Sequence, residues 1–511
     1  MRKTRCMLKV TIHVTYLLLL LVSDTHAQSA TFQEILTVQM RDSGPLQEKG
    51  VVRGYYFIYG AESTKKDYAS FILQITDANL NPLKKKTISV PDKLSLNRVE
   101  CNGNSIGLKF VDLKEEKYTF KTYSLVGELL YSKTSPEFSN MEKAKFSSTA
   151  GGEQAPSFHP IKGAGYVNYM TVKSEEGKPT YNINFYSDTE AVDHWSYTSE
   201  SDQVEFALHL TGDTSYIYAL VAKRDALMST DMEFFVTGFN AKTGDMVYQV
   251  PLESDAYRYL TFSAFVNDQG NVQVVGRYFD KGDNPFKDRE LGFAMLTLDA
   301  QGKITQARHV PSGDAKLKVM QEGSDETDSK EYFFFHDFIQ LADGKILGIA
   351  EMFSMKVNAL GIMTGGAGGT IVMNDMCIFE FNENFDLQNV QQFDKYKSTF
   401  PIPGIPIFSP ALYAYMVKEH GGFDYTFYQK KPDEAFAAVC YLDYERRKGE
   451  KNNTILGAIF ITDAGYTTDK FDLPTEADFI KIMPGPFGSA VVMEYYRKEK
   501  ELKVNTRNLN Y

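Results

Sequence analysis

LGFAMLTLDAQGKITQARHV, residues 291–310, reads as an apolar strand, a polar turn holding Asp and Gly, and a second strand. β-branched, aromatic and apolar residues suit a pleated, half-buried surface, and the Asp/Gly turn between them marks a hairpin. The same phrase returns as MEFFVTGFNAKTGDMVYQVPL from Met232 and YTFKTYSLVGELLYSKT from Tyr118. Looser copies begin at Phe71, Tyr181, Met376 and Ile455, so successive starts lie 47 to 85 residues apart. A four-stranded propeller blade takes about 40 to 50 residues, so each interval fits one blade with loop insertions. Further strands stand ahead of the phrase, as in FSAFVNDQGNVQVVGRYF (residues 262–279) and YFFFHDFIQLADGKILGIAEMF (residues 332–353). These supply an inner pair of strands, and the recurring phrase supplies the outer pair.

The expected fold class is therefore all-β, a β-propeller of seven or eight blades. After the last phrase, DFIKIMPGPFGSAVVMEYYRKEKELKVNTRNLNY holds about three more strands, one short of a blade. TFQEILTVQM (residues 31–40) is the expected missing strand, which closes the ring and removes its exposed edges. An outer-membrane barrel and a set of β-sandwiches are the rival architectures. Segments such as AVVM and ILGAIFI are apolar on both faces, which suits sheets stacked on sheets better than a lipid-facing alternation. The 31 Tyr and 36 Phe supply the bulk of such a core. Helical signals are confined to PALYAYMV, residues 410–417.

Residues 1–27 read as a cleaved signal peptide, with Arg2, Lys3, Arg5 and Lys9 ahead of an apolar stretch and Ala27 at the expected cleavage point. The apolar stretch, residues 10–22, falls short of the roughly 20 residues that a spanning helix needs. An exported protein is expected, periplasmic, outer-membrane-associated or extracellular, with residues 28–511 as one propeller domain and no transmembrane helix. Cleavage moves the formal charge from −11 to −14, which repels phosphate backbones and excludes nucleic acid as the expected partner. Lys84, Lys85 and Lys86 read as a solvated strand end. Cys101, Cys377 and Cys440 have no zinc-like spacing, and whether two of them form a disulfide is left open.

Two uncharged apolar insertions interrupt the sixth unit: residues 357–373 (VNALGIMTGGAGGTIVM) and 399–416 (TFPIPGIPIFSPALYAYM). Uncharged apolar loops must pack on each other, on a partner or on a membrane. Mutual packing into a lid or plug is the structural expectation, and a protein or glycan partner is the functional one. NDMCIFEFNENFDLQNVQQFDK (residues 374–395), with the Gly-rich insert before it and a Pro-rich segment ending SPALYAYMV after it, resembles a family of uncharacterised secreted proteins of Bacteroidota-type bacteria. The resemblance implies a cell-envelope or exported protein with a propeller-like body, and it carries no catalytic residue over.

Chemistry-bearing residues are few. Asp188, Glu190, Asp193 and His194 stand beside Trp195, the one tryptophan, where carboxylates and an aromatic ring could cleave or hold a sugar. A polar hairpin turn is the favoured reading there. His336 and Asp337 lie on an expected inner strand near the channel mouth, but side chains adjacent along a strand point to opposite faces, which argues against their acting together. The acidic runs at 280–290 and 323–328 lack the alternating pattern of a calcium loop. Residues 365–369, GGAGG, lack the Lys-Ser/Thr of a P-loop. Asn452 heads a glycosylation sequon, relevant only on a eukaryotic secretory route. No catalytic motif is found, so the catalytic residues are left open, and no cofactor or metal is expected. The leading functional expectation is an exported binding or scaffold protein, and the alternative is a carbohydrate-active hydrolase or lyase with its site at the propeller mouth.

Overall fold

The computed structural model describes residues 28–509, apart from 39–41, 49, 141, 144–156, 189–193, 227–228, 230, 268, 286–287, 289, 315–330, 358–366, 404–412, 415–416, 419–420, 432–433, 446–452 and 474–475. The described strands form eight separate antiparallel sheets, blades 1 to 7 spanning residues 44–91, 94–134, 158–198, 204–251, 257–311, 331–403 and 425–473 and blade 8 joining the chain ends, each built on four consecutive strands except where those ends meet. Eight sheets, each with its own edges, are blades of a propeller, so the barrel alternative falls. Every recurring phrase is the third and fourth strand of a blade. The phrase quoted first forms Gly292–Leu298 and Ile304–Pro311, the outer pair of blade 5.

Seven phrases and eight blades are reconciled by the ring closure. Blade 8 takes Phe479–Pro484, Ser489–Tyr496 and Glu501–Asn508 from the C-terminal end and its outermost strand, Ser29–Phe32, from the N-terminal end. Ala30 pairs with Val504 and Phe32 with Leu502. The closing strand thus starts before TFQEILTVQM and uses only its first two residues. Residues 33–38 cross from blade 8, where Ile35 N–H donates to the Lys500 carbonyl, to blade 1, where Leu36 N–H donates to the Gly60 carbonyl. Phe32 packs against Phe57 at 5.2 Å in the core shared by blades 8 and 1. Because Phe32 also pairs with Leu502 and so joins the two chain ends, Phe32→Ala is expected to lower stability by about 3 kcal/mol, read as a lower denaturant midpoint with unchanged slope.

The core lies between blades. Ser105–Asp112, the second strand of blade 2, is buried at every position, while its outer strand Leu129–Thr134 is mostly exposed. Second strands are thus buried with little alternation, as sheets stacked on both faces require, whereas the third strand of blade 2, Lys117–Ser124, alternates. Lys84 and Lys85 sit exposed on the outer strand Pro82–Pro91 of blade 1, as expected for a solvated strand. Cys101, Cys377 and Cys440 are free thiols, the last two fully buried, and burial pushes the Cys101 thiol up to about 11.

Blade 6 carries the insertions. Its second strand, Ile346–Val357, and third strand, Ala367–Phe381, run on past the blade, and the bulge between Glu351 and Phe353 marks where the extension begins. The outer edge of Ala367–Phe381 is shared: Leu387–Phe393 completes the blade, and Ser398–Pro403, from the second insertion, pairs with the extension, Ile371 facing Phe400. In their described parts the two insertions thus fold onto each other. Ile371, Met373, Ile402, Tyr413, Ala414, Val417 and Phe423 make a small core with Phe334 and Phe353 of the blade. Tyr413, Ala414, Val417 and Lys418 have helical backbone, in the stretch where helix was expected. The Gly-rich run enters an extended strand at Ala367, not a phosphate-binding turn before a helix.

Candidate functional site: the inner-strand clefts and the charged cluster behind them

The sequence-derived acidic site at Trp195 is structural where it is described. Asp188 accepts hydrogen bonds from Asn102 Nδ2 at 2.6 Å and Ser105 Oγ at 3.0 Å, joining blades 2 and 3. His194 Nδ1 accepts from the Ser187 backbone N–H at 3.1 Å. Trp195 donates its indole N–H to the Ala241 carbonyl at 2.9 Å and lies over Gly244, where an added Cβ would fall 2.5 Å from the ring. Gly244 has a φ of +77°, so glycine is needed there on two counts. Glu190 and Asp193 lie outside the described residues, as do the 323–328 run and Asn452. In the 280–290 run, the backbone N–H groups of Asp283 and Asp288 close turns onto Asp280 and Asn284.

His336 and Asp337 tell a different story. The first strand of blade 6, Glu331–Gln340, has a β-bulge: Phe335 pairs with Ala350 and Asp337 with Ile349, leaving His336 as the extra residue. The alternation argument against their joint action therefore fails here. Both side chains meet Tyr425, at the start of blade 7. The His336 ring stacks on the Tyr425 ring at 4.8 Å and 23°, and Tyr425 OH donates to Asp337 Oδ2 at 2.6 Å. Bulges recur in the first strands of other blades, at Asn97, Leu208 and Thr426, so the device belongs to the ring.

Behind this contact lies a buried charged cluster that sequence reading missed. Glu351 accepts the backbone N–H groups of Asp424 and Tyr425, each at 3.0 Å. Lys395 Nζ lies 3.2 Å from Glu351 Oε1 and 2.6 Å from Asp424 Oδ2, and Ser398 Oγ donates to the same Asp424 oxygen at 2.5 Å. His336 Nε2 stands 3.2 Å from Glu351 Oε2, close but poorly aligned for a hydrogen bond. On its other side, His336 Nδ1 lies 3.3 Å from Lys418 Nζ. An ammonium can only donate, so Nδ1 accepts and the ring proton sits on Nε2, facing Glu351.

Burial sets the charge states. Desolvation, helped by the Lys418 charge, pulls His336 down to about 4, so its imidazole is neutral at pH 7. Desolvation opposes the charged form of Lys395, but the Glu351 and Asp424 carboxylates outweigh it and hold the ammonium above its usual range. Glu351 is likewise desolvated, yet the His336 and Lys395 contacts carry it below the ordinary carboxylate range. Desolvation lifts Asp424 above that range despite Lys395. Asp337, although partly open to the cleft, is lifted by desolvation as well.

Two clefts meet at these residues. One, of about 450 Å³, runs along blade 7 from Lys430 back to Tyr425 and Lys418, with Asp337, Lys431 and Phe487 in its wall. The other, of about 650 Å³, lies where blades 5 and 6 turn from first to second strand. Asn267, Asn271, Gln273, Gln306, Gln340 and Asn384 bring amide groups to it, and Phe265 and Phe338, stacked at 5.8 Å and 13°, line it too. Asp337, Tyr428 and Lys430 line both. His209, which also reaches the larger cleft, is held by the Ala264 carbonyl at 2.9 Å.

The protein is thus an eight-bladed β-propeller with two adjoining clefts along its inner strands. It belongs to the family of unknown function DUF6770, whose profile matches residues 7–510. No curated protein matches it. Similar solved structures include a putative dipeptidyl aminopeptidase IV from Bacteroides ovatus, 11% identical, covering 63% of this chain and 48% of that one, with a TM-score of 0.28. Others are oligopeptidase B from Trypanosoma brucei, at 8% identity, 83% and 54% coverage and TM-score 0.33, and a post-proline cleaving enzyme from Rickettsia typhi, at 9%, 83% and 58%, and 0.30. The chain spans about half the length of these proteins, and likeness at such scores carries no argument about activity.

Proposed function

We propose that this protein is an exported, non-enzymatic glycan-binding propeller of the bacterial cell envelope, with its ligand seated in the larger cleft. The carrying observation is the chemistry of that cleft: amide-bearing residues of blades 5 and 6 line it together with the stacked Phe265–Phe338 pair. Amides both donate and accept, matching vicinal hydroxyls, and aromatic faces suit the C–H face of a sugar ring. Export rests on the leader-like residues 1–27. A hydrolase would place two carboxylates about 5 to 10 Å apart across the ligand. Among the described residues, Asp337 and Glu383 are the acids lining the larger cleft, and Asp337 is engaged by Tyr425.

The test is a panel of neutral and acidic oligosaccharides titrated into the protein by calorimetry. Gln273→Ala with Asn271→Ala is expected to weaken the retained glycan at least tenfold without shifting Tm. Wild-type affinity in that variant, or no saccharide bound by the wild type, overturns the reading.

A further inference from the structure

Resting on that reading, we infer that the ligand is an anionic saccharide, carboxylated or sulfated, whose acidic group is held at Lys430, the cation shared by the two clefts. The chain as a whole is acidic, with a formal charge of −11, yet the smaller cleft reverses that sign. Lys418, Lys430 and Lys431 line it, against Asp337 as its one acid among the described residues.

The roles of these groups differ. Lys431 is already paired with Glu434 at 2.9 Å and lies over the rings of Phe436 and Phe487. Lys418 is turned to His336. Asp337 receives the Tyr425 hydroxyl on Oδ2, so one of its oxygens is already engaged. Lys430 has no carboxylate partner among the described residues; its Nζ donates to the Gln340 carbonyl at 3.1 Å, a neutral acceptor that leaves two donors for a ligand. Tyr428 and Phe487 line the same cleft, giving it an aromatic wall. A point charge between an aromatic wall and an amide wall suits a saccharide that bears one anionic group per ring or per repeat. A neutral glycan would leave the ammonium without an anion, whereas an anionic one gains a charge-assisted hydrogen bond.

The experiment titrates oligogalacturonate, a chondroitin sulfate oligosaccharide and a neutral cello-oligosaccharide into wild type, Lys430→Met and Lys430→Arg at low and high salt. An anionic oligosaccharide is expected to bind the wild type at least tenfold tighter than the neutral one, more weakly as salt rises. Lys430→Met should erase that margin, and Lys430→Arg should keep it. The carboxylated and sulfated arms decide which anionic group is read. Equal or tighter binding of the neutral sugar, or a margin that survives Lys430→Met, overturns the inference and leaves glycan binding standing. No binding of any arm overturns both.

Discussion

Lys395→Met should cost about 3 to 5 kcal/mol of stability, measured by denaturant unfolding at pH 7, because it leaves two carboxylates buried beside each other without their cation. Glu351 and Lys395 have no exposed side-chain surface and Asp424 has almost none, so water cannot take over the lost contacts. The loss is expected to be cooperative with the insertion. Lys395 and Ser398 lie on the connection from the outer strand of blade 6 into Ser398–Pro403, while Asp424 sits where the chain re-enters blade 7. One ammonium therefore ties both ends of the second insertion to Glu351 on the blade. Adding Glu351→Gln and Asp424→Asn to Lys395→Met should recover part of the stability, since neutral partners need no counter-charge. A loss under about 1 kcal/mol from Lys395→Met alone would mean that the cluster is hydrated, contrary to its burial.

The second large effect concerns acid. His336 is held neutral, with its folded value near 4 against an unfolded value of about 6.5. The unfolded chain binds a proton that the folded chain refuses, so this group's contribution is complete above about pH 6.5 and is lost as pH falls toward 4. The difference corresponds to about 3 kcal/mol. Glu351, whose value is depressed, adds to the loss as pH falls further through the carboxylate range. Asp337 and Asp424, whose values are raised, act in the opposite sense and soften the fall as they take up protons. Thermal unfolding followed from pH 7 to pH 4 should therefore show Tm dropping across the window between about 6.5 and 4. His336→Asn should flatten that window while lowering Tm at pH 7. A wild-type profile already flat between those values would show that His336 is charged in the folded protein.

How far the sequence reached follows from what each feature depends on. The hairpins were legible because a blade's outer pair is local: two strands and a turn within about twenty residues, with Asp, Asn or Gly where the chain reverses. Blade number stayed at seven or eight because the last outer pair is split between Ser29–Phe32 and Glu501–Asn508, which no local pattern joins. Mutual packing of the insertions followed from their lack of charge, and the pairing of Ile371 with Phe400 realises it. The His336 bulge was illegible because a one-residue bulge without glycine has no sequence mark, and strict alternation then separated two residues that share Tyr425. Lys395, Ser398 and Asp424 were passed over because ordinary charged and polar residues reveal burial only through the fold. The one available signal was position: they flank the uncharged second insertion, residues 399–416.

The central claim is that ligand binds along the inner strands, with the insertions serving the body. Hydrogen–deuterium exchange, run with and without saturating oligogalacturonate or cello-oligosaccharide, tests it directly. Slowed exchange in residues 263–273, 337–346 and 426–431, with residues 367–373 and 398–403 unchanged, is the predicted result. Protection confined to the paired insertions would move the binding surface there and contradict the account.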